Sequence, residues 1–261
     1  MLGKLFKYEN KALARVLLPM YGAWLVVSAL LGFSIKFVEN SAFIAGITGF
    51  MYSAVVIASV VLTIILIIQR YYKNLLGNEG YLTLTLPVST GKHLMSKSII
   101  ATVWGLIGII TGLLSMMIVF VSSTDPALVG QFFEQVFINL KHLATANNML
   151  TLFELIILTI VAVFLTIIKV YAAISVGHIF DNHRILISVA AYLGFGVIEL
   201  IIGNILNTFN FSENMFMIIN GPGVQNGVNT VFSLGIIFFA VLASVYYTLS
   251  YFIIKNKLNL E

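Results

Sequence analysis

The chain has 261 residues, of which 60% are hydrophobic and only 9% charged, where a soluble domain carries about 45–50% apolar and about 25% charged residues. That little polar surface cannot cover a water-facing globule, so ordinary soluble classes are excluded and lipid is the expected solvent. With no cysteine, disulfide frameworks, thiolate metal sites and cysteine nucleophiles are excluded too, and the net charge of +4 bears on membrane orientation, with no nucleic acid implied.

The first fifteen residues read as a basic amphipathic helix. Lys4, Lys7, Lys11 and Arg15 share one face, and Leu2, Leu5, Phe6, Leu13 and Val16 share the opposite one. Such a helix lies in the headgroup region with its apolar side down and its basic side toward anionic lipid. Glu9 interrupts the apolar face.

Runs of about 20 apolar residues, enough to cross ~30 Å of hydrocarbon, then follow six times. They cover residues 16–35, 48–68, 98–121, 152–176, 185–206 and 231–254. The expected fold is therefore an all-α, polytopic integral membrane protein in a single transmembrane domain. The first run is too long for a cleaved signal peptide and no small-x-small site follows it.

With the N-terminus inside, every Lys and Arg except Lys36 and Lys141 falls on the inner side or near an inner helix end. That bias predicts that both termini are cytoplasmic.

Several features inside the spans stand out. Gly105, Gly108, Gly112 and Ser115 fall within one ~80° sector of the third span, which suits close helix approach, within the chain or across a dimer face. Pro19 and Gly22 in the first span are read as a kink or a helix entry. Lys169 in the fourth span and Glu199 in the fifth are costly in lipid and should face protein or a water-filled path. Counted along the helix axes, Lys169 lies ~10 Å and Glu199 ~21 Å from the cytoplasmic side. A direct pair is therefore not expected: Lys169 should snorkel inward, and Glu199 should line a path or make a polar contact.

The longest inner loop, residues 69–97, is apolar for a segment in water, with Tyr81, Leu82, Leu84 and Leu86 exposed unless something covers them. Residues 82–86 alternate with a period of two and read locally as a strand, which Pro87 ends.

This loop carries a resemblance. Gly77, Glu79, Gly80, Tyr81 and Leu82, then Thr85-Leu86-Pro87-Val88-Ser89, then Ser96-Lys97 entering a span, is similar to the first cytoplasmic loop of type-2 ABC export permeases. The opening residues 1–9 and the stretch Gly177-His178-Ile179-Phe180 with His183-Arg184 resemble the same family in its Gram-positive bacterial form. The resemblance implies a short coupling helix over Glu79, Gly80, Tyr81, Leu82, Thr83, Leu84, Thr85 and Leu86, docking on a separate ATPase subunit. On that ground the helix replaces the strand reading, although Thr83 and Thr85 are β-branched where a helix prefers other residues. It implies further that residues 1–15 form the interfacial elbow helix, that short helices after span five dip into the outer leaflet, and that the protein sits in the bacterial plasma membrane. A second permease chain, identical or a paralogue, would complete the pathway.

No phosphate-binding loop is present: around Gly91-Lys92, Leu86 and His93 stand where a glycine and a Ser/Thr are needed. No cofactor is expected in this chain, and the resemblance places ATP and Mg on the partner subunit. His178, Asp181 and His183 have poor spacing for metal ligation, so no metal site and no enzyme activity is expected. The outer segment at 207–230 is rich in Asn and Gly, with Phe209, Phe211, Met215, Phe216 and Met217 suited to an interface or to an exit for amphipathic cargo. The expected function is a permease subunit of an ATP-driven exporter of amphipathic or hydrophobic cargo, with peptides suggested by analogy. The alternative is an ion-gradient-driven secondary transporter with Glu199 as its protonation site; a membrane-embedded enzyme lacks any acid, base or metal constellation.

Overall fold

The computed structural model describes residues 2–37, 42–76, 89–143, 146–180, 182–208 and 224–256. Among these the chain is helical apart from short turns: α1 (Leu2–Phe37), α2 (Ala42–Tyr71), a π-helical turn (Tyr72–Leu76), α3 (Thr90–Ser123), α4 (Pro126–Leu143), α5 (Ala146–Gly177), α6 (Arg184–Thr208) and α7 (Val224–Asn256). Six of them are long and apolar enough to cross a membrane: α1, α2, α3, α5, α6 and α7. Each of the six apolar runs lies within one of these helices, and the chain is a multi-pass membrane protein. Their large side chains face outward in numbers no aqueous surface tolerates, for example Phe50, Met116, Leu186 and Leu200.

The described helices outrun the apolar runs. α3 has 34 residues, about 51 Å of helix against ~30 Å of hydrocarbon. Backbone hydrogen bonding continues past the hydrophobic boundary, which composition alone does not mark. α1 shows the same thing: the elbow segment and the first span lie in one helix, with Pro19 inside it. Leu13, Leu17, Tyr21, Trp24, Ser28 and Leu31 are all buried. Their three- and four-residue spacing makes one continuous packing stripe across the supposed joint. Lys7, Lys11, Arg15 and Val16 are exposed and Glu9 is half-buried.

The chain divides into two compact units. The first comprises residues 1–69 and 103–141. Here α1 and α3 approach closely through glycines. A Cβ at Gly108 would stand 3.0 Å from the Tyr21 hydroxyl, one at Gly112 3.4 Å from the Trp24 ring, and one at Gly32 1.7 Å from Ser122 Oγ. The room at Gly108 lets Tyr21 Oη donate to the Trp104 carbonyl at 3.3 Å, beside the Thr63 hydroxyl at 3.1 Å. Tyr52 and Ser115 hydroxyls meet at 2.7 Å. Near the start of the chain, the Trp104 indole donates to Asn10 Oδ1 at 2.9 Å, tying the basic amphipathic turn to α3.

α4 lies between the third and fourth apolar runs, in sequence of mixed composition. It begins at Pro126, whose missing N–H costs nothing at a first helical position, and the Asp125 carbonyl accepts from Val129 at 3.0 Å. Phe132 packs against Phe120 with ring centroids 4.9 Å apart.

The second unit comprises residues 70–102 and 142–261. It contains both roots of the segment at 77–88: the π-helical turn and the first turns of α3. Tyr71 stacks on Tyr171 with centroids 3.9 Å apart and planes 6° from parallel. Its hydroxyl lies 2.6 Å from Ser175 Oγ. The Ser175 proton is committed to the Tyr171 carbonyl, so Tyr71 is the donor. Leu75, Leu94, Ile168 and Ala172 are fully enclosed around this stack. On the other root, the Ser89 carbonyl accepts from Lys92 and His93 as α3 begins, and Tyr247 donates to the Gly91 carbonyl at 3.0 Å. α5 ends at Gly177, where a Cβ would collide with Ser188 Oγ at 1.9 Å and the Arg184 carbonyl at 2.6 Å. The chain then turns into α6 through His183, at φ 60°.

Candidate functional site

Within the second unit, α5, α6 and α7 gather the most polar chemistry found inside the described spans. α5 and α7 run parallel in a fixed register: Thr151 donates to Asn229 Oδ1, Ser233 donates to Glu154 Oε1 at 2.8 Å, and Gly235 faces Leu158. Deeper along the same helices, Lys169 Nζ meets Glu199 Oε2 at 2.6 Å, and Tyr246 donates to Glu199 Oε1 at 2.8 Å.

This ion pair corrects the axial arithmetic, which kept the two residues about 10 Å apart and turned Lys169 inward. The error is in the side chains. A helical Cα–Cβ bond tilts toward the helix N-terminus. α5 and α6 run in opposite senses, so Lys169 leans toward the end where α6 finishes, and Glu199 leans back toward it. Lys169 adds a four-carbon stem. The ammonium lies alongside α6, 5.0 Å from the Tyr192 ring centroid and 3.9 Å from where a Cβ at Gly196 would stand. Tyr192, Gly196 and Glu199 fall on one face at spacings of four and three. The aromatic ring, the gap and the carboxylate therefore form a track for the lysine. Phe195 packs on Tyr246 at 5.0 Å between centroids.

Both carboxylate oxygens of Glu199 thus have partners, and the charges of the pair cancel in place. The side chains retain 12% and 25% exposure. Inside an apolar span such a pair is screened less than one at a water-facing surface. Chemically the arrangement is a clasp joining three spans. No nucleophile with a base beside it is present in it, and among the described residues no three His, Cys, Asp or Glu side chains gather to hold a metal.

The remaining predicted site residues are placed as follows. The docking segment Glu79 to Leu86 lies outside the described residues, as do Asp181 and residues 209–217. Gly108 and Gly112 face Tyr21 and Trp24 of their own chain, and Gly105 is half-buried.

Sequence reasoning passed over Glu154, a third ionisable residue inside a span, though a carboxylate three residues into the fourth apolar run was signal enough. It also passed over Tyr71, Tyr171 and Tyr246, because a tyrosine in an apolar run leaves no pattern. At the turn between α5 and α6, His178 lies 5.0 Å from the Tyr72 ring with its Nε2 buried and without a hydrogen-bond partner. Burial, and secondarily the Arg184 charge, hold its pKa below the ordinary histidine value.

Comparison with protein-family models, with curated proteins and with solved structures finds no match for this chain.

Proposed function

We propose that this chain is the permease subunit of a type-2 ABC exporter, moving amphipathic or hydrophobic cargo, peptides among them, out of a bacterial cell by alternating access. Two such chains line the pathway, both termini are cytoplasmic, and a separate ATPase binds ATP and Mg. The segment at 79–86 docks on that ATPase and carries its motion into the spans.

The observation that carries this reading is the construction of the roots of that segment. A mechanical coupling element must be stiff where it joins the moving part, or the stroke is lost in local bending. Both roots of the 77–88 segment meet this condition within one unit: Tyr71 and Leu75 on one side and Leu94 on the other are fully enclosed. A π-helical turn at 72–76 stands where the helix hands over to the segment, a feature frequent at functional sites. The apolar character of Tyr81, Leu82, Leu84 and Leu86 supplies the docking chemistry.

The secondary-transport alternative loses its main support, because Glu199 has its charge balanced by Lys169 and both its oxygens occupied. Charged replacement of Tyr81 or Leu84 is expected to abolish ATPase co-purification or export while leaving membrane insertion intact. Normal co-purification and export in both variants would overturn the assignment. Transport that proceeds without any ATPase and collapses with an uncoupler would replace it with an ion-driven mechanism.

A further inference from the structure

Glu154 sits five residues inside the Met149 end of its span, about 7.5 Å along the helix. Its Oε1 accepts from Ser233, while Oε2 is buried and has no hydrogen-bond partner. No described salt bridge reaches it. Lys169, the basic residue further along α5, lies about 22 Å away along the axis and is engaged with Glu199. A carboxylate withdrawn from water this way is costly unless something positive reaches it.

The neighbours of Glu154 are oxygen carriers. Thr151 lies one turn outward on the same face of α5, and Ser233 and Asn229 face this pair from α7, one turn apart. The single proton of each hydroxyl is committed, Ser233 to Glu154 and Thr151 to Asn229 Oδ1. Apart from the Asn229 amide protons, the capacity these bonds leave is lone pairs: those of the Ser233 hydroxyl, the amide oxygen and the whole of Glu154 Oε2. Such a set suits a hard cation bound through oxygen and offers little to an anion. Charge decides the valence. One carboxylate among neutral oxygens neutralises a single positive charge, whereas a divalent ion would leave a net charge at the edge of the hydrocarbon.

We propose that Glu154, Asn229 and Ser233 form a binding site for one small monovalent cation of the sodium type, which ties these ends of α5 and α7 together, with Thr151 holding the Asn229 amide in place. The site is independent of the exporter reading and of the Lys169–Glu199 clasp.

The test uses the purified full-length protein in detergent or nanodiscs, with radioactive sodium as the probe in a scintillation-proximity assay. A thermal-unfolding series in sodium, potassium or choline chloride at constant ionic strength accompanies it. Saturable sodium binding and a sodium-specific rise in unfolding temperature are expected. Glu154→Gln should abolish both. Ser233→Ala, which removes a ligand while keeping the carboxylate, should weaken binding about tenfold or more and carries the test if Glu154→Gln does not fold. Glu134→Gln, at an exposed position on α4, should bind as the parent does. Absence of saturable binding in the parent overturns the proposal, as does binding unchanged in Ser233→Ala. Equal unfolding temperatures in sodium and choline, with Glu154→Gln as stable as the parent, would equally overturn it. ATPase co-purification tests the exporter reading by a separate route, so either can fail alone.

Discussion

Removing one member of the Lys169–Glu199 clasp should cost far more than removing both. Lys169→Met leaves Glu199 charged among apolar spans with only the Tyr246 hydroxyl to support it. Breaking a buried pair from one side typically costs about 3–5 kcal/mol. The expected loss for Lys169→Met is therefore about 3–4 kcal/mol. Glu199→Gln should cost less, about 2 kcal/mol, because the freed ammonium is eight residues, ~12 Å, from the end of α5 and can snorkel there. The double variant Lys169→Met/Glu199→Gln strands no charge and keeps an acceptor for Tyr246. It should lie within about 1 kcal/mol of the parent, a coupling of about 4 kcal/mol in a double-mutant cycle. Reversible unfolding in mixed micelles, measured for all four proteins, gives the cycle. A coupling below about 0.5 kcal/mol, which is the additivity expected of independent sites, would refute the reasoning that these charges compensate one another in a weakly screened site.

Three further outcomes follow from single contacts. Gly108→Ala places a Cβ 3.0 Å from Tyr21 Oη and should cost about 1–2 kcal/mol, partly relieved when Tyr21→Phe removes that oxygen; thermal unfolding of the two singles and the double checks this. Tyr71→Phe should cost about 1 kcal/mol and no more, since Ser175 keeps its bond to the Tyr171 carbonyl and the ring stack survives. His178 has its pKa lowered in the folded state, so the unfolded chain binds the extra proton first. Its contribution to stability is then complete above about pH 6.5, the unperturbed value, and is lost as the pH falls below it. A scan of unfolding temperature from pH 5 to 8 should show that slope, and His178→Gln should flatten it.

The spans were legible because the bilayer imposes a harsh rule: some 20 residues must forgo charge and most polarity, and a helix must satisfy its own backbone. What lay beyond the hydrocarbon was less legible. Nothing in residues 14–18 announces that α1 runs on without a joint, because the Leu13-Leu17-Tyr21 stripe is visible only when one helix is assumed. α4 was hidden by its mixed composition, though Asp125-Pro126 is a good helix start. Lys169 and Glu199 were recognised singly but kept apart, because residue counts give axial height and say nothing about where a long side chain reaches. Gly108 and Gly112 were marked as a contact stripe, while Gly32, the tighter approach, is ten residues from Gly22, the other glycine of its run, and made no stripe with it.

α6 is the shortest of the six candidate spanning helices among the described residues, 25 residues against 30 to 36 in the others, and none of its most apolar window is buried. At about 37 Å it overhangs ordinary bilayer hydrocarbon by little more than a turn, while its neighbours have several turns to spare. A thicker membrane would pull polar headgroup away from the ends of α6 first, and tilting, the usual relief for a long helix, is of least use to the shortest one. Its vertical position is pinned by the carboxylate it lends to α5 and α7. Lipid thickness would therefore be felt by this protein as a load on one bond.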